Sequence, residues 1–257
     1  MTAHTEDPPP RRGRLLDQTV VVIGGSAGIG LETAREARIE GADVLLVGRD
    51  ADRLAAAAEE VGARRTAAFD AHDLDAVRGF FADLEQPVDH VMVTAGNPYY
   101  ASLWDTDFGE AGRALQDHPL LLAGIARYGA PRVRPGGALL FMGGTGGRHP
   151  SIGIGVTSAM TAALPALAAS LAVEVAPVRV NLIAAGFVNT PLSARLLGDG
   201  LEERLDELRR TVPTGRVVEP EDVAALAVHI MTNPALTGAT FDIDGGQQLV
   251  AAPPSQP

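Results

Sequence analysis

The chain contains no cysteine, which excludes disulfides, iron–sulfur clusters and zinc–thiolate centres and fits a reducing, cytoplasmic compartment. Lysine is missing too, since all 21 basic residues are arginine. Without a side-chain amine no Schiff base can form, pyridoxal phosphate loses its usual anchor, and a Walker-type phosphate loop loses its cation. Arginine does not substitute, because it stays protonated and has a different shape. Positive charge is scarce overall. The 21 basic residues face 32 acidic ones, for a formal net charge of -11, which argues against nucleic acid and anionic membranes as partners. No apolar run is read as approaching the roughly 18 residues of a membrane span, and the proline-rich, polar residues 1–14 do not read as a signal peptide. No metal site is expected.

The chain's 257 residues, 46% of them hydrophobic, suffice for one large α/β domain with a sizeable core. Residues 1–14 and 251–257 read as flexible tails around a single domain spanning 15–250. Within it, short runs rich in Val, Ile and Leu predict buried strands at Thr19–Ile23, Val44–Val47, Val88–Thr94, Ala138–Met142, Val178–Ile183 and Ala239–Ile243. Helical spacing separates them over Gly30–Glu40, Arg53–Val61, Leu74–Leu84, Phe108–Tyr128, Thr157–Val175 and Glu221–Thr232. This alternation predicts a doubly wound Rossmann domain, a parallel sheet covered by helices on both faces.

The first predicted strand runs into Gly24-Gly25-Ser26-Ala27-Gly28-Ile29-Gly30, and a helix pattern begins at once. Glycines there allow a sharp turn and close approach to a pyrophosphate, whose charge the amides at the helix N-terminus stabilise. In this position the loop points to dinucleotide binding rather than to a bare strand-to-helix turn. The second strand ends at Gly48-Arg49. An acidic residue would select the ribose hydroxyls of NAD, whereas Arg49 favours a 2′-phosphate, and so NADP(H) over NAD(H).

With these motifs the chain resembles the short-chain dehydrogenase/reductase family over nearly its whole length. Gly24, Gly28 and Gly30 match that family's glycine loop, with Ile23 in place of its Thr. Thr94-Ala95-Gly96 is similar to its Asn-Asn-Ala-Gly segment, and Asp70 stands where the family contacts adenine. Ala185-Gly186-Phe187-Val188-Asn189-Thr190 resembles its Pro-Gly-x-x-x-Thr segment beside the nicotinamide, and Asp242-Ile243-Asp244-Gly245-Gly246 its closing strand. The resemblance implies a mostly parallel, seven-stranded sheet. It also implies a small-molecule substrate, a mobile lid over 191–210, and a homodimer or homotetramer paired partly through the Ala- and Leu-rich helix after Thr157. Pro165 in that helix is expected to bend it or to mark its true first turn.

The family's chemistry uses a Tyr and a Lys four residues apart on one helix face. By resemblance these positions fall on Thr157 and Thr161, the family's Ser on Gly144 or Thr145, and its Asn on His118. An aliphatic hydroxyl ionises far above a phenol's pKa of about 10, so the usual proton relay is absent. Replacement donors at the C-terminal strand ends are Tyr99 or Tyr100, His118, and His149 beyond Gly143–Gly147, with Thr157 and Thr145 able to polarise a carbonyl. Each has a plainer reading as a half-buried loop aromatic, a helix-bound histidine or a surface histidine. Three functions follow: an NADP-dependent oxidoreductase with an altered proton donor, a non-redox dehydratase or cyclase, and a nucleotide-binding protein without catalysis.

Overall fold

The computed structural model describes residues 13–148 and 151–250. Seven strands form one sheet: β1 Thr19–Ile23, β2 Asp43–Gly48, β3 Arg65–Ala68, β4 Val88–Val93, β5 Val133–Gly144, β6 Arg179–Ala185 and β7 Thr240–Ile243. Their order is β3-β2-β1-β4-β5-β6-β7, and every neighbouring pair is parallel. The helices are α1 Gly28–Ile39, α2 Ala51–Val61, α3 Leu74–Ala82, α4 Phe108–Gly129, α5 Gly155–Glu174, α6 Pro191–Leu197, α7 Leu201–Thr211 and α8 Pro220–Thr232. This is the doubly wound arrangement that the alternation predicted.

Strand periodicity builds the two faces. Val21 and Ile23 join the layer of Phe80 and Phe81 from α3, Leu121 and Ile125 from α4, and Leu164 from α5. Val20 and Val22 join the opposite layer with Ala34 from α1, Leu54 from α2 and Val223 and Ile230 from α8. Successive side chains on a strand point to opposite faces, so an unbroken Val/Ile run is what a sheet covered on both sides requires.

β3 escaped the sequence reading. Its Arg-Thr-Ala-Ala residues are mostly exposed, and as an edge strand it shows no apolar run. The membrane-span expectation also needs correction. Helix α5 is 20 residues long with a mean hydropathy of 1.6, enough by length and composition to cross a membrane. Its alanines, threonines and glycine hid this from a search for large consecutive apolar residues. Here α5 packs against α4 and β6. Pro165 lies inside α5, so it does not mark the first turn.

Two polar ties lock the ends of the domain. Arg14 donates through its amide at 2.7 Å and through Nε and Nη2 at 2.9 and 2.7 Å to the Glu40 carboxylate. Residues 1–12 of the expected N-terminal tail, and the tail 251–257, lie outside the described residues. Arg179, buried on β6, donates to the carbonyls of Gly136, Ile230, Asn233, Leu236 and Met231. Its fork ties the end of α8 to the sheet, and each buried carbonyl left unpaired costs about 1–3 kcal/mol.

Candidate nucleotide and active site

The strand ends of β1, β2 and β4 enclose a cavity of about 260 Å³. Its wall is built from β1 outward. Gly24 and Gly25 both donate to Val47 O, at 2.8 and 3.1 Å, which folds the loop back over the end of β2. Thr94 supports it from β4, with Oγ1 donating to Ile23 O at 3.3 Å and Gly24 O at 3.2 Å. A Cβ at Gly24, where φ is 96°, would lie 2.5 Å from Thr94 Oγ1, and one at Gly30 would lie 2.2 Å from Gly24 O. Only glycine fits at either position.

Helix α1 then starts without protection. Ala27 at its N-cap offers no side-chain acceptor, and its first turn holds no acid. Leu31 N is its first amide to find an acceptor, Ala27 O at 3.3 Å. The preceding amides are left to the cavity, the arrangement that holds a phosphate.

Ten of the twelve residues expected to bind a cofactor line this one cavity. Gly24, Ser26, Gly28, Ile29 and Gly30 come from the first loop, with Arg49 from the end of β2 and Asp70 from the end of β3. Ala95 and Gly96 follow β4, and Thr190 precedes α6. Gly186 and Val188 do not line it. A Cβ on Gly186 would lie 2.5 Å from Asp244 Cβ, and Val188 is buried in the core. Asp70 accepts from the His72 amide at 3.0 Å and pairs with its ring Nδ1 at 3.1 Å. The amide bond, more than the ring, holds its carboxyl below the usual range.

Among the ionisable residues that line the cavity, sequence reasoning missed three: His72, Arg53 and Arg195. Arg53 was legible, because it stands in the first turn of α2, directly after the strand end that carries Arg49. Asp50 caps α2 by accepting from the Arg53 amide at 3.0 Å, which fixes the turn that carries this second guanidinium.

The substrate side, around β5 and the start of α5, is different. Thr157 Oγ1 donates to Tyr99 O at 2.5 Å and accepts from Tyr99 N at 3.1 Å. Its hydroxyl is therefore engaged in both directions. Thr161 Oγ1 donates within its own helix, to Thr157 O at 2.9 Å and Ser158 O at 3.2 Å.

His118 Nε2 lies 3.0 Å from Met142 O. A carbonyl only accepts, so Nε2 carries the proton and the buried Nδ1 is left bare without a partner. Burial pushes its pKa down, so the ring stays neutral and props the end of β5. Tyr99 is engaged as well, since its phenol accepts from Asp107 N at 2.9 Å at the start of α4.

Two expected donors keep free hydroxyls among the described residues. Thr145 is buried and Tyr100 is half-exposed, and neither hydroxyl has a hydrogen-bond partner. Partial desolvation pushes the Tyr100 phenol up from its ordinary value, so it stays protonated as a donor. His149 lies outside the described residues. Of the expected proton donors, Thr145 and Tyr100 therefore keep uncommitted hydroxyls, while Thr157 and Thr161 do not.

Comparison with known proteins supplies the family. The family model described as enoyl-(acyl carrier protein) reductase matches residues 24–248. A Malbranchea aurantiaca protein, short-chain dehydrogenase/reductase malC, is 27% identical over 94% of this chain and 99% of its own length. A solved structure described as MalC reductase/Diels-Alderase from that organism has a TM-score of 0.86 at 25% identity, covering 93% of this chain and 99% of that one. The NADP-dependent (R)-specific alcohol dehydrogenase of Lentilactobacillus kefiri is 31% identical over 91% of this chain and 97% of its length. A small-chain dehydrogenase solved in complex with NADPH has a TM-score of 0.77 at 26% identity, covering 90% and 99%. The glycine cradle, the sheet order and these likenesses agree, and the chain belongs to the short-chain dehydrogenase/reductase family.

Proposed function

We propose that this protein binds NADP(H) in the cavity beside α1 and works as an oxidoreductase on a carbonyl or hydroxyl of a small molecule. Its proton traffic does not run through a Tyr–Lys pair. The observation that carries this reading is the contrast within one site. The guanidiniums of Arg49 and Arg53 line the cavity without hydrogen bond or salt bridge, while the hydroxyls of Thr157 and Thr161 are closed on main-chain carbonyls.

The amides at the start of α1 meet a diphosphate, and Arg49 with Arg53 meets a 2′-phosphate. Bound there, the nicotinamide would supply or take a hydride. Thr145 and Tyr100 then hold the substrate oxygen, Tyr100 as the protonated donor and Thr145 as a hydrogen-bond donor that polarises. The other expected site residues act indirectly. Thr157 fixes the Tyr99–Tyr100 backbone and His118 props β5. Association with a second copy belongs to the same reading, since Leu115 and Leu120 on α4 and Val173 on α5 are exposed apolar side chains.

A second reading has its own support. A cycloaddition makes its carbon–carbon bonds without moving a proton, so a site with few free proton donors suits it, and one relative is described as a reductase/Diels-Alderase. Calorimetric titration with NADPH and NADH, followed by absorbance assays against a panel of ketones and aldehydes, separates the outcomes. Tight NADPH binding with NADPH consumption is expected. Binding with product formation but unchanged absorbance selects the cyclase reading, and binding without any product leaves a nucleotide-binding protein without catalysis. Capture of neither nucleotide at millimolar concentration overturns all three.

A further inference from the structure

Arginine carries every positive side-chain charge other than histidine in this chain, and carboxylates outnumber it. Most described arginines have found partners. Among the described residues only the side chains of Arg49, Arg53, Arg113 and Arg195 make no hydrogen bond, salt bridge or ring contact, and three of these four line the cavity beside α1. Arg49 and Arg53 belong to its β2–α2 end. Arg195 comes from elsewhere, the last turn of α6, which opens the expected lid segment 191–210.

Local packing brings that segment to the phosphate loop. A Cβ on Gly28 would lie 3.5 Å from Thr190 Cβ and 3.7 Å from Pro191 Cδ. A capping box between Thr190 and Ser193 then fixes how α6 departs. The loop from Gly24 to Gly30 contains no cationic side chain. The N-terminus of α1 supplies only about half an elementary charge, so a doubly charged diphosphate would be under-compensated by the loop alone.

We propose that Arg195 is a positioning residue that donates to the diphosphate of the bound dinucleotide and so couples closure of the lid to nucleotide occupancy. This rests on the dinucleotide reading above and adds a charge that comes from the lid. It also explains why Arg195 stays unpaired in an acidic chain: an intramolecular carboxylate partner would hold the lid against the protein instead of against the ligand.

The test uses the full chain, as wild type, Arg195→Ala and Arg195→Lys, with NADPH and NADH as probes. NADPH and NADH share the diphosphate, so Arg195→Ala is expected to weaken both by the same factor, about tenfold for one charge-assisted hydrogen bond. Arg195→Lys recovers part of the loss. Hydrogen–deuterium exchange gives a second readout. NADPH protects the amides of 191–210 in wild type and in Arg195→Lys but not in Arg195→Ala, while unliganded wild type and variants exchange alike.

Unchanged affinity in Arg195→Ala overturns the inference, as does undiminished lid protection. A loss confined to NADPH also overturns it, because it would place Arg195 on the 2′-phosphate. If wild type binds neither nucleotide, the dinucleotide reading itself fails and this inference falls with it. Wild-type binding with an indifferent Arg195 sinks the inference alone.

Discussion

Around β1 and β2, the amides at the start of α1 and the guanidiniums of Arg49 and Arg53 face a cavity without a hydrogen bond or ion pair to the chain. Around β5 and the start of α5, hydroxyls stand at comparable strand ends, yet Thr157 and Thr161 are closed on neighbouring carbonyls, and His118 is tied to Met142 O through Nε2 alone. Both regions are rich in glycine and small polar residues. Unpaired polar groups are costly, so a fold that keeps a set of them clustered in one cavity signals a ligand that completes them. A fold that pairs them has made them structural. By this criterion the nucleotide half is built to receive something, while the α5 face is built to hold the Asn97–Tyr100 loop in place.

The comparison breaks most sharply on glycine. A Cβ at Gly30 would meet Gly24 O at 2.2 Å, whereas one at Gly146, in the loop after β5, meets nothing within 4 Å. Gly30→Ala is expected to cost about 3 kcal/mol in urea denaturation and to abolish NADPH binding in calorimetry. Gly146→Ala should change stability by less than about 0.5 kcal/mol. Equal effects would erase the contrast.

Next come the unpaired cations. Arg49→Ala and Arg53→Ala should each weaken NADPH by about tenfold, through loss of a charge-assisted bond to the 2′-phosphate. Affinity for NADH should be unchanged. A fall in NADH affinity as well would move these cations off the 2′-phosphate.

The smallest expected effect tests the substrate side. Thr157→Val removes two hydrogen bonds to Tyr99 and should lower stability by about 1–2 kcal/mol, with kcat falling less than tenfold. Thr157→Ser should restore the stability. A fall in kcat of about a hundredfold or more at unchanged stability, the size of a lost general acid, would return Thr157 to the chemistry.

Legibility followed locality. The glycine loop is a contiguous motif whose conformational need is local, so Gly24, Gly28 and Gly30 could be read in advance. Buried strands announced themselves by apolar runs, and β3 did not because an edge strand of Arg-Thr-Ala-Ala buries little. Arg53 was within reach of sequence reasoning, since it opens the helix that directly follows the Arg49 strand end. Arg195 was not. Nothing in its neighbourhood along the chain places it on the cavity that Gly28 lines, which depends on how Thr190 and Pro191 after β6 meet the first loop. The state of Thr157 was equally hidden, because Tyr99, which engages its hydroxyl, lies 58 residues away.

By itself the sequence determined the alternation of strands and helices, the glycine turn after β1, and the absence of any ammonium group. These depend on residue type and short-range periodicity. Only the tertiary structure decided which polar groups are satisfied and which are held open. A hydrogen-bond partner is chosen by proximity in space, and folding brings Tyr99 to Thr157, Met142 to His118, and the lid arginine to a loop more than 160 residues before it.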